Sequence, residues 1–331
     1  LKKDVVFIVN HDCPYDTYLD LLSKEIVIKK DPNLYKLATK NKGIRWLQKK
    51  NRLISPYFLK DGLVFDPQAK GLLHFSDKEE ERGKKLLHLL AIESHEKIIT
   101  VHNKDTYFYA EIGQKKTWDT YRDSEFSALS KSIHYLNNQG FRCVKVGHYP
   151  EFNQEQIPAL SVNTLPSSER QFFDFYIQHK AIFSICGSSG IGCIPWQLNK
   201  SMLIHNYIPL GLNIAIDCGI FIPKLLRDKK TKKLLSLSYL QSLKSWVSNT
   251  DYYFSHLAVY SGDMFHIQEH YDLYNLETVD NTEEEILEAV KEMILWASGQ
   301  LLLSEEQSKR QEKFKNLFPV NHNMHLTKGI V

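Results

Sequence analysis

The stretch Ile182-Phe183-Ser184-Ile185-Cys186-Gly187-Ser188-Ser189-Gly190 decides how the chain is read. Its apolar first half has the length and composition of a buried strand. The glycines then predict a tight loop, and the residues after it predict a helix. Ligands of open α/β sheets gather outside the carboxyl ends of the strands. Backbone N–H groups at a helix N-terminus attract phosphate, and glycines let it approach. Ser188 and Ser189 would add hydroxyl hydrogen bonds, with Gly187 and Gly190 leaving room. A structural turn with Ser189 as N-cap explains the same residues. The loop lacks the lysine of a P-loop and a full G-x-G-x-x-G, so neither a kinase-type NTPase nor a standard dinucleotide enzyme is indicated.

The same alternation extends outward. Val5–Val9 and Glu25–Ile28 read as short strands, and Asp31-Pro32 reads as a helix start. Leu53-Ile54 is a further strand candidate. Ser76 followed by Glu79 is a capping box for a helix running through Leu90. Lys97–His102 predicts a strand, Ser124–Asn138 a helix stopped by Gly140, and Phe141–Val146 a strand closed by Gly147. Ser168–Gln178 predicts a helix, Ala181–Cys186 a strand, and Ser201–Asn206 another strand. Strands alternating with helices of this length argue for an α/β fold with a parallel sheet. The tail differs: Leu234–Ser248, Thr282–Ala297 and Ser304–Phe318 are expected to be helical. The stretch Asp61–Leu73, with Gly62, Pro67 and Gly71, is the best boundary between two domains.

Several strand ends carry residues with chemistry. His102-Asn103-Lys104-Asp105 offers an imidazole, a cation and a carboxylate. Lys104 could neutralise a diphosphate and Asp105 could accept a proton; a polar loop turning at Asp105 is the plainer account. In Trp118-Asp119-Thr120-Tyr121-Arg122-Asp123, Arg122 presents a planar fork suited to phosphate. Asp123 and Ser124 would serve equally as N-caps. Gly147-His148 closes another strand, where a backbone turn suffices. His11 and Asp12 follow the first strand, as a candidate base or as solvated loop residues. The run Arg227–Lys233 is basic, either a solvated loop or a contact for anionic lipid headgroups or a lipid diphosphate.

Composition narrows the classes. The chain has 331 residues, enough for two domains. A net charge of +3 is too small to indicate nucleic-acid binding. No apolar stretch approaches the roughly 18 residues of a membrane span. The apolar run after Leu1-Lys2-Lys3-Asp4 is too short for a signal-peptide core. Cys13, Cys143, Cys186, Cys193 and Cys218 are dispersed and form no C-x-x-C pair. Buried free thiols in a reducing compartment are expected, hence a cytoplasmic protein without a zinc site.

Taken in order, these segments resemble a family of bacterial glycosyltransferases found in surface-polysaccharide gene clusters. That family reads a capped helix, a strand ending His-Val-Arg, a Tyr-Arg-Asn segment, a strand ending in Gly, a Gly-(Ser/Thr)-Ser-Ser-Gly-like loop, Asn-x-x-Pro-Leu-Gly and Phe-Ile-Pro-Lys-Leu-Leu. The chain has His74-Phe75-Ser76, His102-Asn103-Lys104, Tyr121-Arg122-Asp123, Val146-Gly147 and Cys186-Gly187-Ser188-Ser189-Gly190. It continues with Asn206-Tyr207-Ile208-Pro209-Leu210-Gly211, Phe221-Ile222-Pro223-Lys224-Leu225-Leu226 and a late Asp280–Ile286 helix entry. The resemblance spans about residues 72–318. Two departures stand out: Asn103-Lys104 stands for Val-Arg, and Asp123 for Asn.

The resemblance implies a GT-B-like architecture of two Rossmann-like domains with parallel sheets and a helical C-terminal tail. Residues 1–72 would form the acceptor side and residues 73–331 the nucleotide-sugar side. It implies a glycosyltransferase with no cofactor and no metal, using a nucleotide sugar as co-substrate and a glycan or lipid-linked acceptor. Nucleic acid is not a partner, and peripheral contact with the inner membrane is expected. Donor binding would fall to His102, Lys104, Arg122, Asp123, Gly147, Gly187, Ser188, Ser189, Gly190, Asn206 and Lys224, and base catalysis to His11, Asp12 or Asp105. A nucleotide-sugar epimerase of the same architecture and a non-catalytic carbohydrate- or nucleotide-binding subunit are the alternatives.

Overall fold

The computed structural model describes residues 6–9, 16–24, 27–30, 73–107, 120–147, 152–208, 219–236, 239, 268–317 and 325–326. The first strands, β1 (Val6–Val9) and β2 (Val27–Lys30), pair in parallel as a sheet of their own, joined through helix α1 (Asp16–Ser23). The expected Leu53-Ile54 strand, the helix after Asp31, and the domain boundary up to Gly71 lie outside the described residues.

The main sheet is all parallel. Helix α2 (Asp77–Leu89) precedes strand β3 (Lys97–Val101), and helix α3 (Ser130–Asn138) precedes β4 (Phe141–Lys145). Helix α4 (Ser167–Lys180) leads to β5 (Phe183–Cys186), and the short α5 (Cys193–Gln197) to β6 (Ser201–Tyr207). Strands β7 (Gly219–Pro223) and the two-residue β10 (His325–Leu326) complete it. The spatial order is β4-β3-β5-β6-β7-β10. The chain therefore leaves β3 toward one edge and returns to β5 on its other side. That reversal makes the β3/β5 boundary a topological switch point, where the connections diverge and open a crevice.

Both faces are covered, as a parallel sheet requires. Alternation splits the strand residues between them. Cys143 faces a core with Ile133 and Leu136 of α3 and with Ile286, Ala289 and Met293 of α7 (Glu283–Ala297). Val144 faces a second core with Leu86 and Leu87 of α2 and with Phe172, Phe173 and Tyr176 of α4. The capping box expected at Ser76/Glu79 is present, and Thr282 forms a second one with Glu285. The Ser76 N–H donates to Glu79 Oε2 at 2.7 Å, and Thr282 Oγ1 accepts the Glu285 N–H at 3.2 Å.

Three segments differ from expectation. The Ser124 N–H donates to the Lys104 carbonyl, which ties residue 124 to the end of β3. The helix consequently begins later, after a 3₁₀ turn at Phe126–Leu129. Leu234 does not begin a helix but bridges Arg227 in antiparallel fashion, and most of the helix expected up to Ser248 lies outside the described residues. The tail is also not purely helical between α6 (Gln268–Leu273), α7 and α8 (Glu305–Leu317). Strand β8 (Leu225–Asp228) pairs antiparallel with β9 (Leu276–Val279). The basic run ends β8 and turns back toward Leu234, with Arg227 and Lys232 on Glu277 and Lys229 on Asp272. These carboxylates account for much of its charge.

Helices α2 and α4 pack together at Gly83, where an added Cβ would lie 2.2 Å from the ring of fully buried Tyr176. Alanine at a helical position is intrinsically better than glycine by about 1 kcal/mol. Overpacking a core costs about 1–3 kcal/mol. The collision should win: Gly83→Ala should lower urea-unfolding stability by about 1–2 kcal/mol. A stabilised variant would mean that the helices can separate without loss.

Candidate functional site at the β3–β5 switch point

The end of β3 is fixed by its neighbours. The His102 N–H donates to the Ile185 carbonyl at 2.8 Å, and the Gly187 N–H donates to the His102 carbonyl at 3.1 Å. A Cβ on Gly187 would lie 2.9 Å from the Lys104 backbone nitrogen, so the loop can follow this path only with glycine there. The predicted helix after the loop is short: a 3₁₀ turn at Gly190–Gly192 and then the five residues of α5. Its dipole is correspondingly small, and the loop amides matter more than the helix. Gly190 has nothing within 4 Å of a built Cβ.

His102 and the serine loop are joined. His102 Nδ1 lies 3.1 Å from the Val146 carbonyl and Nε2 lies 2.7 Å from Ser189 Oγ. Burial, reinforced by the nearby Lys145 charge, pushes the imidazole well below its usual pKa and keeps it neutral. Gly147, at φ +90°, packs against this ring. Ser188 faces inward, its hydroxyl accepting the Ile208 N–H at 3.0 Å.

Two buried lysines flank residue 123. Lys104 Nζ donates to Asp123 Oδ1 at 2.7 Å, and Lys224 Nζ donates to the Asp123 carbonyl at 2.6 Å and to Asp280 Oδ1 at 2.7 Å. Burial lowers the Lys224 pKa, while Asp280 and Asp123 pull it back. Arg122 is half-buried beside Tyr121, whose ring stacks on Tyr271 with centroids 4.7 Å apart. Asn206 is fully buried at φ +50° and exchanges two hydrogen bonds with Asn281. Its N–H donates to Asn281 Oδ1 at 2.6 Å, and its Oδ1 accepts the Asn281 N–H at 2.7 Å. Its side chain also meets His205 Nδ1 at 3.1 Å. It therefore braces β6 against the start of α7 from within the protein.

The sequence reading missed three residues here. His205, whose pKa burial lowers to about 4, donates from Nε2 to the His102 carbonyl at 3.1 Å. Asp174 of α4 accepts the Gly147 N–H at 3.2 Å. Lys145, at the end of β4, is 1% exposed, with its ammonium 5.0 Å from the centre of the Phe126 ring. Its position between Val144 and Val146 was the available signal, since a sheet covered on both faces leaves no solvated side for it. Asp105 is half-buried, accepts the Tyr107 N–H at 3.1 Å, and attracts the Lys145 charge.

The sheet end thus brings together His102, Lys104, Asp105, Asp123, Gly147, the 187–190 loop, Asn206 and Lys224, with Arg122 next to Asp123. His11 and Asp12, together with Trp118, Asp119, His148 and Pro209-Leu210-Gly211, lie outside the described residues. Among the described residues, no group of three or more His, Cys, Asp or Glu side chains could hold a metal ion. Cys143 and Cys186 are buried free thiols.

No protein-family model and no curated protein matches the chain. Among solved structures it is similar to the ADP-heptose LPS heptosyltransferase II of E. coli, at 12% identity over 68% of this chain and 54% of that one, with a TM-score of 0.35. It is also similar to a family 9 glycosyltransferase from Veillonella parvula, at 9% identity over 67% and 53%, with a TM-score of 0.37. A third is the beta Kdo 2,7 transferase KpsC of Thermosulfurimonas dismutans, at 13% identity over 60% and 78%, with a TM-score of 0.23. The chain spans about half the length of the first two. At these identities and TM-scores, the matches assign no chemistry to this chain.

Lys145 gives the site a pH signature. Burial pushes its ammonium down to about 8 from the ordinary 10.5, against the attraction of Asp105 and Asp174. Between these values the unfolded chain binds the proton that the native chain releases, so stability should rise with pH. The full difference is about 3 kcal/mol. Urea unfolding of the parent and Lys145→Met from about pH 7.5 to about pH 10 should show the parent gaining stability relative to the variant. A constant gap would assign Lys145 an ordinary pKa.

Proposed function

We propose that the chain is a glycosyltransferase that moves a sugar from a nucleotide-sugar donor to a glycan or lipid-linked acceptor in bacterial surface-polysaccharide synthesis. The observation that carries this reading is the convergence of four segments at the switch point of a parallel sheet. These are residues 102–105, 122–123, 187–190 and 224, the segments on which the family resemblance rests. Crevices at such points take phosphorylated ligands, and the residues gathered here supply amides, hydroxyls, cations and a carboxylate.

In the proposed reaction, the acceptor hydroxyl attacks the anomeric carbon. The bond from that carbon to the diphosphate oxygen breaks, and the nucleoside diphosphate leaves. Preorganised donors act most strongly on the charge that develops on the leaving group. The Gly190 amide and Arg122 are the candidates for this work. Lys104 and Lys224 would join them by exchanging Asp123 and Asp280 for phosphate oxygens. The exchange is feasible because Asp280 is 45% and Asp123 26% exposed, whereas both lysines are buried. Asp105, or His11 or Asp12 from the N-terminal segment, would take the acceptor proton in an inverting reaction.

The reading extends to a GT-B-like pair of domains, with residues 1–72 on the acceptor side and 73–331 on the donor side. It extends also to a cytoplasmic location with peripheral contact at the inner membrane. Among the described residues, no helix is long and apolar enough to cross a membrane.

Gly190 and Arg122 give the cleanest tests, because Lys104→Ala and Lys224→Ala would each break a buried ion pair and confound binding with folding. An added Cβ at exposed Gly190 meets nothing within 4 Å, so Gly190→Leu should fold normally and weaken donor binding at least about tenfold. Arg122→Ala should lower turnover and donor affinity together. The measurement is titration and initial rates with a panel of nucleotide sugars. Free nucleotide appearing with transfer supports the reading, isomerised donor identifies an epimerase, and binding without turnover identifies a binding subunit. Parental behaviour in both variants would move the diphosphate elsewhere.

A metal-independent mechanism is part of the proposal. Activity should therefore persist in excess EDTA. Loss on chelation with recovery on adding Mg²⁺ or Mn²⁺ would count against it.

A further inference from the structure

We propose that Ser189 meets the ligand as a hydrogen-bond acceptor, with its own O–H donating to His102 Nε2, so that the loop reads a ligand hydroxyl rather than a phosphate oxygen. Naming that hydroxyl as one on the ribose or sugar of a nucleotide sugar rests on the function proposed above. The direction of the hydrogen bond does not.

The positions of the protons fix the direction of the bond. The Val146 carbonyl, 3.1 Å from His102 Nδ1, can only accept, so Nδ1 carries the ring proton. Burial and the Lys145 charge keep the ring from taking a second one. Nε2 is therefore a bare lone pair, and it sits 2.7 Å from Ser189 Oγ. The proton in that contact belongs to the hydroxyl. Ser189 has one proton and two lone pairs, and with the proton committed inward it offers lone pairs to the crevice. Ser189 is partly exposed and can reach a ligand.

The ring is held in this role. A Cβ on Gly147 would lie 2.8 Å from His102 Nδ1, so the glycine permits the ring's position and closes the space behind it. The Gly147 N–H is fixed in turn by Asp174 Oδ1. To donate to a phosphate, Ser189 would have to abandon Nε2 and leave a buried acceptor unsatisfied. Accepting a ligand hydroxyl keeps every bond in place. The same geometry argues against a nucleophilic serine, since ionising Ser189 would create a buried imidazolium close to Lys145. His102 is thus a positioning residue and Ser189 a specificity-determining one.

Ring-nitrogen NMR of the full chain labelled with ¹⁵N-histidine tests the direction of the bond. His102 is assigned among the fourteen histidines by the signal lost in His102→Gln. The neutral Nδ1-protonated tautomer is expected at about pH 7, with Nε2 shifting in Ser189→Ala and returning toward its parental position in Ser189→Thr. An Nε2-protonated ring, an imidazolium, or no Nε2 shift in Ser189→Ala overturns the proposal. Calorimetric titration tests the ligand class with inorganic pyrophosphate, ADP-glucose and UDP-glucose. Ser189→Ala should leave pyrophosphate affinity within about twofold of the parent and weaken the better-binding nucleotide sugar about tenfold. A tenfold loss for pyrophosphate makes Ser189 a phosphate donor and overturns the proposal. If the parent binds neither of these nor any other member of the nucleotide-sugar panel, the proposed function fails and the identity of the hydroxyl falls with it. The ring shifts then still decide the Ser189–His102 bond.

Discussion

The close packing of residues 102–104 at the end of β3 is the constraint on which the rest of the site depends. The β5 loop presses on one side, where Gly187 leaves no room for a Cβ beside the Lys104 nitrogen. The end of β4 presses on the other, where Gly147 lies against the His102 ring. The main chain at His102 is bonded on both its groups, with the N–H on Ile185 and the carbonyl receiving Gly187 N–H and His205 Nε2–H. A segment so enclosed has little freedom. The side chains it carries are therefore presented in set directions, which is what a binding site built on strand ends requires.

Charge is arranged to match this rigidity. A buried ammonium is tolerated only with a partner close by. Lys104 has Asp123, Lys224 has Asp280, and Lys145 has the fields of Asp105 and Asp174. Each lysine lies deeper than the Asp123 or Asp280 carboxylate it binds, so the cations belong to the frame and those anions face outward. The site is nearly neutral as a whole. An anion would be recognised there through local hydrogen bonds and exchange of partners, not through a long-range positive field.

Much of this frame was legible in the sequence, and the parts that were not share a cause. The strands at 97–101, 141–145, 183–186 and 201–207 stand out as apolar runs. Ser76/Glu79 announces its helix because a capping box is local chemistry. The locations of His102, Lys104 and Gly187 follow from strand ends alone. What depends on partners distant in sequence did not show. The pairing of β8 with β9 joins segments about fifty residues apart, four residues each, with Arg227 and Asp228 in one and Glu277 in the other. Arg227–Lys233 read as an isolated basic run because Asp272 and Glu277 enter only through the fold. The role of Asn206 as a brace depends on Asn281. Ser188 and Ser189 are adjacent and alike in the sequence, yet the chain turns one inward to Ile208 and the other toward the crevice.

That brace shows how the tail takes part in the site without facing it. Asn281 bonds Asn206 at the end of β6 and donates from Nδ2 to the Pro223 carbonyl at the end of β7. Its neighbour Asp280 holds Lys224, and Lys224 holds the Asp123 carbonyl. One residue further on, Thr282 caps α7, whose Ile286, Ala289 and Met293 are buried against the sheet. The start of α7 thus closes a chain of contacts from the hydrophobic core through Asp280 and Lys224 to Asp123. Asn206 tolerates its left-handed backbone better than most side chains would, and the paired amide bonds offset the remaining strain. Packing of α7 against the sheet therefore sets the position of the Lys224 ammonium beside Asp123.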